Sequence, residues 1–286
     1  MAANFLGIDE EYSSYGKSKI VILPIPYDKT STYGKGADKG PDAIINASSQ
    51  VELYDIETDS EVHINGIHTR QPLIVNNEPD ILFKKVYDNV LSMLKDDKFV
   101  VCLGGEHSIS IGTIKAHIDH FKEVSVLQLD AHGDTRDTYH GSEYNHACVM
   151  ARVMEWTKPT QVGIRSMDSS EKENVLKNNV FFAHNLHKDK LWIDKVIGTL
   201  KHDKVYITLD LDVFDPSIMP STGTPEPDGL TWEQVNDLIN KLTSKKKIIG
   251  FDVVELAPKK DYHAPDFIAA KLIHRILSQV FSKAHK

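Results

Sequence analysis

VYITLDLDV, residues 205–213, is the stretch that decides the fold class of this chain. Its apolar side chains are nearly continuous up to Asp210, as in parallel strands that helices cover on both faces of a sheet. Similar runs rich in Val and Ile recur along the chain, and they predict a mostly parallel sheet. They are KIVILPIP from Lys19, FVVCLGG from Phe99, VSVLQLD from Val124, QVGIRS from Gln161 and IIGFDVVEL from Ile248, with VFFAH from Val180 as a weaker candidate.

Helical patterns lie between these runs. Apolar side chains at helical spacing predict helices over residues 83–94 and 232–242. Thr231 and Gln234 have the spacing of a capping box at the start of the second helix. A last helix is predicted from Ala264, because proline at the next position is favoured in a first helical turn. Alternating strands and helices predict an α/β fold with right-handed crossovers, and we expect residues 1–286 to form a single domain.

The composition narrows the class of protein. A chain of 286 residues with 41% hydrophobic and 26% charged residues is neither disordered, collagen-like nor a coiled coil. The 33 basic and 41 acidic residues give a formal charge of −8, which argues against nucleic acid or an anionic membrane as partner and suits a cationic small molecule. With only two cysteines, Cys102 and Cys148, a disulfide scaffold is excluded. Without a predicted signal peptide or membrane span, we expect a cytoplasmic protein.

Acidic residues and histidines follow several of the predicted strands. Ligands of parallel sheets bind beyond the carboxyl ends of the strands, so these side chains are expected at one edge. Asp130, His132 and Asp134 are spaced two residues apart, and so are Asp210 and Asp212. In an extended segment such spacing turns each set to one side of the chain.

This acidic edge predicts a metal centre. Neighbouring carboxylates cannot all remain ionised unless a cation compensates them. Carboxylates together with imidazoles suit Mn²⁺ or a similar divalent ion better than structural zinc, which favours thiolates. The candidate ligands are too many for one ion, and with bridging carboxylates they suit a pair. They are His107, Asp130, His132, Asp134, Asp210 and Asp212.

The motifs around these residues resemble those of the ureohydrolases, the arginase and agmatinase family. The likeness runs through nearly the whole chain, and the short length together with TGTPEP from Thr222 favours the agmatinase branch. It implies an arginase-like three-layer α/β/α fold and two Mn²⁺ per subunit. The motifs are PYDKTSTYGKGADKGPDAI from Pro26, GGEHS from Gly104, DAHGD from Asp130, YNHA from Tyr144, DLDVFDPSIMPSTGTPEPDGL from Asp210 and DVVELAP from Asp252.

The resemblance also implies a role for each candidate residue. Glu255 would hold the guanidinium group of the substrate, and His146 on a mobile loop would relay a proton together with Asp134. Glu106 stands where the family more often has Asp, and we interpret it as a residue that orients His107. The implied ligands are His107, Asp130, Asp134 and Asp210 for one ion and His132, Asp130, Asp210 and Asp212 for the other, with Asp130 and Asp210 bridging.

The favoured reaction is hydrolysis of agmatine to putrescine and urea. The loop over residues 135–146 lacks the Asn- and Ser-rich pattern of arginases, and its Asp137 and Glu143 would suit a cationic tail. Arginine, 4-guanidinobutyrate and formiminoglutamate stay open as substrates. Other open alternatives are a single-zinc, deacetylase-like amidohydrolase and an inactive relative that serves as an interaction module. The resemblance further implies a homo-oligomer, a trimer or a hexamer.

Overall fold

One parallel sheet organises the fold. The computed structural model describes residues 4–76, 78–175 and 179–282. Within these ranges eight strands pair in the order β2-β1-β3-β8-β7-β4-β5-β6, and every pair is parallel. The strands are β1 Ile20–Ile25, β2 Ile67–Thr69, β3 Phe99–Gly104, β4 Val124–Leu129, β5 Thr160–Ile164, β6 Val180–Phe182, β7 Lys204–Asp210 and β8 Lys247–Val254.

Helices cover both faces of the sheet, so the predicted three-layer arrangement is confirmed. Alternate residues of each strand face opposite layers: Val21 packs in the cluster of α3 and α4, whereas Ile22 packs in the cluster of α2, α7, α8 and α9. The α-helices are α1 Glu10–Ser13, α2 Gly40–Ser48, α3 Pro79–Lys95, α4 Ile109–Phe121, α5 Val149–Met154, α6 Ala183–Leu186, α7 Trp192–Thr199, α8 Trp232–Lys245 and α9 Ala264–Phe281.

The predicted runs all form strands, including the weaker candidate at Val180. The capping box at α8 is also confirmed, because the Thr231 side chain accepts from the Gln234 N–H and the Gln234 side chain accepts in return. Strand β2 was not predicted, because its sequence, Ile-His-Thr, contains a single large apolar residue. In the part of the chain that the structure describes, no helix is both long and apolar enough to cross a membrane.

The centre of the sheet positions the acidic edge. Strands β3, β8, β7 and β4 are neighbours, although they are far apart in the chain. Their carboxyl ends lie at Gly104, Val254, Asp210 and Leu129. Asp210 and the segments that follow the four ends carry the candidate ligands and Glu255, and the parallel register brings them to the same edge.

Candidate metal centre

The side chain of His107 lies among three carboxylates. Its Nδ1 atom is 3.1 Å from an oxygen of Asp130, 3.0 Å from one of Asp134 and 3.5 Å from one of Asp210. All four side chains are at least nine-tenths buried. His107, Asp130 and Asp210 also offer ligand atoms that lie within 4.8 Å of one another, which is close enough to bind one ion.

A second group surrounds His132. Its Nδ1 atom lies 2.9 Å from Asp212 Oδ2 and 3.7 Å from Asp130 Oδ1. These three residues again offer ligand atoms within 4.8 Å of one another. Asp130 is therefore shared, with Oδ2 toward His107 and Oδ1 toward His132. The structure thus brings together all six residues that the sequence analysis named as ligands.

The local backbone differs from the predicted extended one. Strand β4 ends before Asp130, and Asp134 has a left-handed φ of 51°. Leu211–Val213 form a turn of 3₁₀ helix, at which Asp210 caps the backbone N–H of Asp212. The prediction that two-residue spacing in a strand aligns these side chains was wrong, because turns stabilised by the carboxylates themselves bring the side chains together.

Crowding and burial shift the pKa of the carboxyls. Burial, with the nearby Asp130 carboxylate, raises the pKa of Asp134 to about 7. Burial and the charges of Asp212 and Asp130 raise the pKa of Asp210 well above its usual range. The folded protein therefore holds several acids at a distance where a bound cation would favour their ionised forms.

Hydrogen bonding gives the His107 ring the tautomer that a metal ligand needs. Thr208 has one hydroxyl proton, which it donates to Asp252 Oδ1 at 2.7 Å. The Thr208 oxygen must then accept a hydrogen bond from His107 Nε2–H, 3.0 Å away. In the neutral ring the lone pair is then on Nδ1, which is buried and has no hydrogen-bond partner among the described residues. An unpartnered imidazole nitrogen facing three carboxylate oxygens fits a divalent cation.

Asp130 is oriented by a chain of buried amides. Its Oδ2 atom accepts from Gln128 Nε2 at 2.7 Å, and Gln128 Oε1 accepts from Gln161 Nε2, also at 2.7 Å. Its Oδ1 atom accepts from the backbone N–H of His132 at 2.6 Å. These bonds fix both carboxylate oxygens that face the imidazoles.

Glu255 lies beside the first group of ligands. Its Oε1 atom accepts from the backbone N–H of His107 at 2.7 Å. The residue has a left-handed φ of 69°, a conformation that costs a non-glycine residue energy and that is enriched at functional sites. Burial and the charge of Glu106 raise the pKa of Glu255 well above its usual range. Its carboxylate borders the same pocket as His107 and Asp210.

His146 also borders that pocket, together with Tyr139 and Arg136. Burial lowers the pKa of His146 to about 4, so the ring is neutral at pH 7. Its Nδ1 atom lies 3.0 Å from Thr30 Oγ1, and that hydroxyl lies 2.8 Å from Glu106 Oε1. Glu106 therefore contacts Thr30, and through that hydroxyl His146, rather than the ring of His107, contrary to our interpretation of the sequence.

Two acidic residues expected to bind a cationic tail are engaged elsewhere. Asp137 and Glu143 both accept from the guanidinium group of Arg152, at 2.5 and 3.0 Å. Neither borders the pocket of the metal ligands. The acids that do border it beyond the ligands include Asp168, whose side chain is 46% exposed. The prediction for Asp137 and Glu143 was wrong because the sequence gives no sign that Arg152 lies between them.

The sequence analysis also missed Arg165, at the end of β5. Its guanidinium group donates to backbone carbonyls of Asp212, 2.7 Å away, and of Glu226, 2.8 Å away. It thereby ties the loop before α8 to the strand end that carries the ligands. The only sequence feature that could have indicated its role is its position directly after a predicted strand. Its acceptors are backbone carbonyls, which every residue has, so no sequence pattern identifies them.

Comparison with known proteins agrees with this arrangement. The model of the arginase family matches residues 18–278. An N(1)-aminopropylagmatine ureohydrolase of Synechocystis sp. is 39% identical, over 94% of this chain and 91% of that protein. An N(1)-aminopropylagmatine ureohydrolase of Thermus thermophilus is 36% identical, over 94% of this chain and 92% of that protein. The crystal structure of an agmatine ureohydrolase of Thermoplasma volcanium superposes with a TM-score of 0.89 and 32% identity, over 100% of this chain and 96% of that one.

Proposed function

The chain belongs to the arginase family, and we propose that it is a binuclear manganese hydrolase that cleaves a cationic guanidino compound to urea and an amine. One observation carries the proposal: two imidazoles and four carboxylates meet at the carboxyl edge of the sheet, and all of them except Asp130 border one pocket together with Glu255. Each imidazole lies within 3.1 Å of a carboxylate oxygen that could share an ion with it.

The ligand sets in this proposal are the two that the resemblance implies. His107, Asp130, Asp134 and Asp210 would hold one ion, and His132, Asp130, Asp210 and Asp212 the other. Support comes from the shared position of Asp130 and from the unpartnered Nδ1 of His107. Four carboxylates balance the charge of two divalent ions, and oxygen-rich ligands with imidazole suit Mn²⁺.

When bound, two divalent ions would supply activated water at neutral pH and would stabilise the negative charge of the transition state. The protein's own part begins with Glu255, because a carboxylate can bind a planar guanidinium group through two hydrogen bonds. That contact would fix the guanidinium carbon beside the ligands and reduce the entropy cost of attack. The Oε1 atom of Glu255 is itself fixed by the backbone of His107.

The amine leaves only after it gains a proton. Asp134 and His146 border the same pocket. In our proposal Asp134 receives a proton from the attacking water and passes it on, and His146 exchanges protons between the pocket and solvent. A neutral His146 ring suits this role, because it has one nitrogen that can accept a proton and one that can donate.

We propose agmatine as the substrate, because its chain ends in a second cation and carries no carboxylate. Asp168 and Glu226 give the outer part of the site an acidic character, with Glu226 Oε1 4.0 Å from His132 Nε2. A second candidate is N1-aminopropylagmatine, the compound named for the relatives that are 39% and 36% identical. That compound extends agmatine by an aminopropyl group and so adds one further amine that an acidic pocket mouth could bind.

The test is a metal-reconstituted assay over a panel of substrates. Chelator-treated protein should release no urea, and added Mn²⁺ should restore release from agmatine or N1-aminopropylagmatine. Arginine and 4-guanidinobutyrate test the requirement for a cationic tail, and formamide release from formiminoglutamate tests the remaining alternative. A clear preference for arginine would contradict the substrate. One tightly bound zinc per chain, with amide hydrolysis, would favour the deacetylase-like alternative.

Three further expectations remain part of the proposal. Residues 1–286 form a single domain, as the one continuous sheet suggests. The protein acts in the cytoplasm, in keeping with two buried cysteines that form no disulfide. It assembles as a homo-oligomer, a trimer or a hexamer, for which the family resemblance is the support.

A further inference from the structure

Thr30 connects two side chains that lie far apart in the sequence. Its hydroxyl is 2.8 Å from Glu106 Oε1 and 3.0 Å from His146 Nδ1. The backbone N–H of His146 also donates to this hydroxyl, at 3.1 Å. Glu106 is fully buried and further accepts from the backbone N–H groups of Thr30 and Ser108. One threonine hydroxyl thus bridges a buried carboxylate and the imidazole on the pocket wall.

The donors around Glu106 indicate the direction of the bridge. A hydroxyl donates one hydrogen bond, whereas an ionised carboxylate only accepts. Three donors surround the Glu106 carboxylate, two of them backbone N–H groups, so the Thr30 proton points to Glu106. The lone pairs of Thr30 Oγ1 then accept from His146 twice, from its backbone N–H and from its ring. The ring nitrogen that faces Thr30 must therefore carry a proton.

We propose that Glu106 and Thr30 are positioning residues that hold neutral His146 as its Nδ1–H tautomer, which leaves Nε2 as the nitrogen that accepts a proton in the pocket. This inference rests on the proposed role of His146 in proton transfer. A general base needs its lone pair directed at the reacting group, and a hydrogen bond at the other ring nitrogen secures that direction. Tyr139 approaches the ring edge-on at 5.9 Å and limits its rotation from one further side.

The loop that carries Thr30 is itself ordered by a carboxylate. Asp28 accepts from the backbone N–H groups of Gly36, at 2.7 Å, and Ala37, at 3.2 Å. It also accepts from the hydroxyl of Ser31, the residue next to Thr30. Thr30 therefore reaches His146 from an ordered turn, so the loss of its hydroxyl can be tested with little change elsewhere.

The direct test reads the tautomer of His146 without any substrate. Metal-free protein labelled with ¹⁵N-histidine is measured by long-range ¹H–¹⁵N correlation at pH 7, where protonated and unprotonated ring nitrogens resonate far apart. The His146→Gln variant identifies the signals by their loss. We expect Nδ1–H in the wild type and in Thr30→Ser, and a mixture or Nε2–H in Thr30→Val. An Nε2–H ring in the wild type overturns the proposal.

A kinetic comparison supplies the second readout. With Mn²⁺ bound, Thr30→Val should lower kcat for urea release roughly tenfold, which is part of what general acid–base catalysis contributes. KM and metal content should stay at the wild-type values, and Thr30→Ser should restore kcat. Thr138→Val is the matched control, since Thr138 is an exposed threonine of the loop that carries His146. Unchanged kcat and unchanged tautomer in Thr30→Val overturn the proposal.

These readouts separate the positioning role from the proposed function. If the wild type releases urea but His146 is Nε2–H, the function stands and the positioning role is wrong. If no compound of the panel is hydrolysed, the proposed function is wrong, and the tautomer measurement still decides the effect of Thr30. If Thr30→Val does not fold, the tautomer of His146 in the wild type tests the proposal: Nδ1–H supports it and Nε2–H overturns it.

Discussion

Two imidazoles at the edge of the sheet are each joined to a buried carboxylate through a threonine hydroxyl, but the supporting structures differ. Thr208 and Asp252 are neighbours in the register of β7 and β8, and both are fully buried. Asp252 also accepts from Ser110, Thr113 and Tyr206. The carboxylate that serves His107 therefore belongs to the rigid centre of the protein. We call Asp252, Thr208 and His107 the strand relay.

The second set is Glu106, Thr30 and His146, and we call it the loop relay. Glu106 and Thr30 lie in loops, and His146 begins a turn of 3₁₀ helix at the end of a loop. Thr30 and His146 are only partly buried, and His146 borders the open pocket. The two relays also leave opposite ring nitrogens free, Nδ1 in His107 and Nε2 in His146. The proposed metal ligand His107 is thus supported by two strand residues, whereas the proposed proton-exchanging residue His146 is supported from loops.

The largest effect is expected at Asp130, which both imidazoles of the metal centre approach. Asp130→Ala should bind less than one ion per chain and should lower urea release by at least about 10³-fold, because the activation of water depends on the ions. Metal analysis after gel filtration and a steady-state assay measure the two effects. Asp203→Ala, at an acidic residue exposed to 94%, is the control. Full metal content in the Asp130 variant would contradict the proposed centre.

The second-largest effect is on the stability of the protein at low pH, and it comes from His117, which packs beside the strand relay. His117 contacts the ring of Tyr206, with centroids 4.4 Å apart, and burial lowers the pKa of His117 to about 4. Between pH 6.5 and 4 the unfolded chain binds a proton here and the folded chain does not, so stability falls as the pH falls. The shift corresponds to about 3 kcal/mol of unfolding free energy.

Denaturant unfolding of metal-free protein at pH 7 and pH 4 measures this loss. The His117→Asn variant, which can still donate to the carbonyl of Thr113, should be less sensitive to acid than the wild type by roughly that amount. Equal losses of stability in the two proteins would show that His117 does not titrate as its burial implies. As a control, a variant of the exposed His140 should lose as much stability as the wild type between pH 7 and pH 4.

The relays themselves should differ in their effect on metal affinity. Thr208→Val removes the acceptor of His107 Nε2–H, so we expect Mn²⁺ affinity to fall about 10- to 100-fold. Thr208→Ser should restore it. Thr30→Val should leave Mn²⁺ affinity unchanged, because Thr30 contacts no metal ligand through its hydroxyl. Titration calorimetry measures both, and equal losses in the two valine variants would remove the distinction between the relays.

Much of the sheet could be predicted because buried parallel strands are long and apolar. The exception, β2, has three residues and lies at the edge of the sheet, where pairing depends on β1 rather than on its own sequence. The helix α4 was not predicted either. It buries Ser110, Thr113 and His117 among its apolar residues, so its sequence shows no clean apolar stripe of the kind that marks a surface helix.

The convergence of the candidate ligands could be predicted because these residues lie at strand ends in short acidic motifs. The relays could not, because a threonine hydroxyl has no sequence pattern and its partners are remote. Thr30 is 76 residues from Glu106 and 116 from His146, and the sheet order alone brings them together. The ion pairs of Arg152 with Asp137 and Glu143 could not be predicted for the same reason, because the sequence does not show which residues are neighbours in space.

The smallest effect is expected on the KM for the substrate, and it concerns Glu255. The Glu255 carboxylate accepts a hydrogen bond from a backbone N–H rather than from a threonine hydroxyl. Gly223 faces it, and a Cβ there would lie 3.8 Å from Glu255 Oε2, in space that a guanidinium group would need. Gly223→Ala should therefore raise KM several-fold, equivalent to about 1 kcal/mol, with metal content and both relays intact. Steady-state kinetics with agmatine measures this change. If KM stayed constant while kcat fell, Gly223 would border the reacting atoms rather than the bound guanidinium, and the role of Glu255 would need revision.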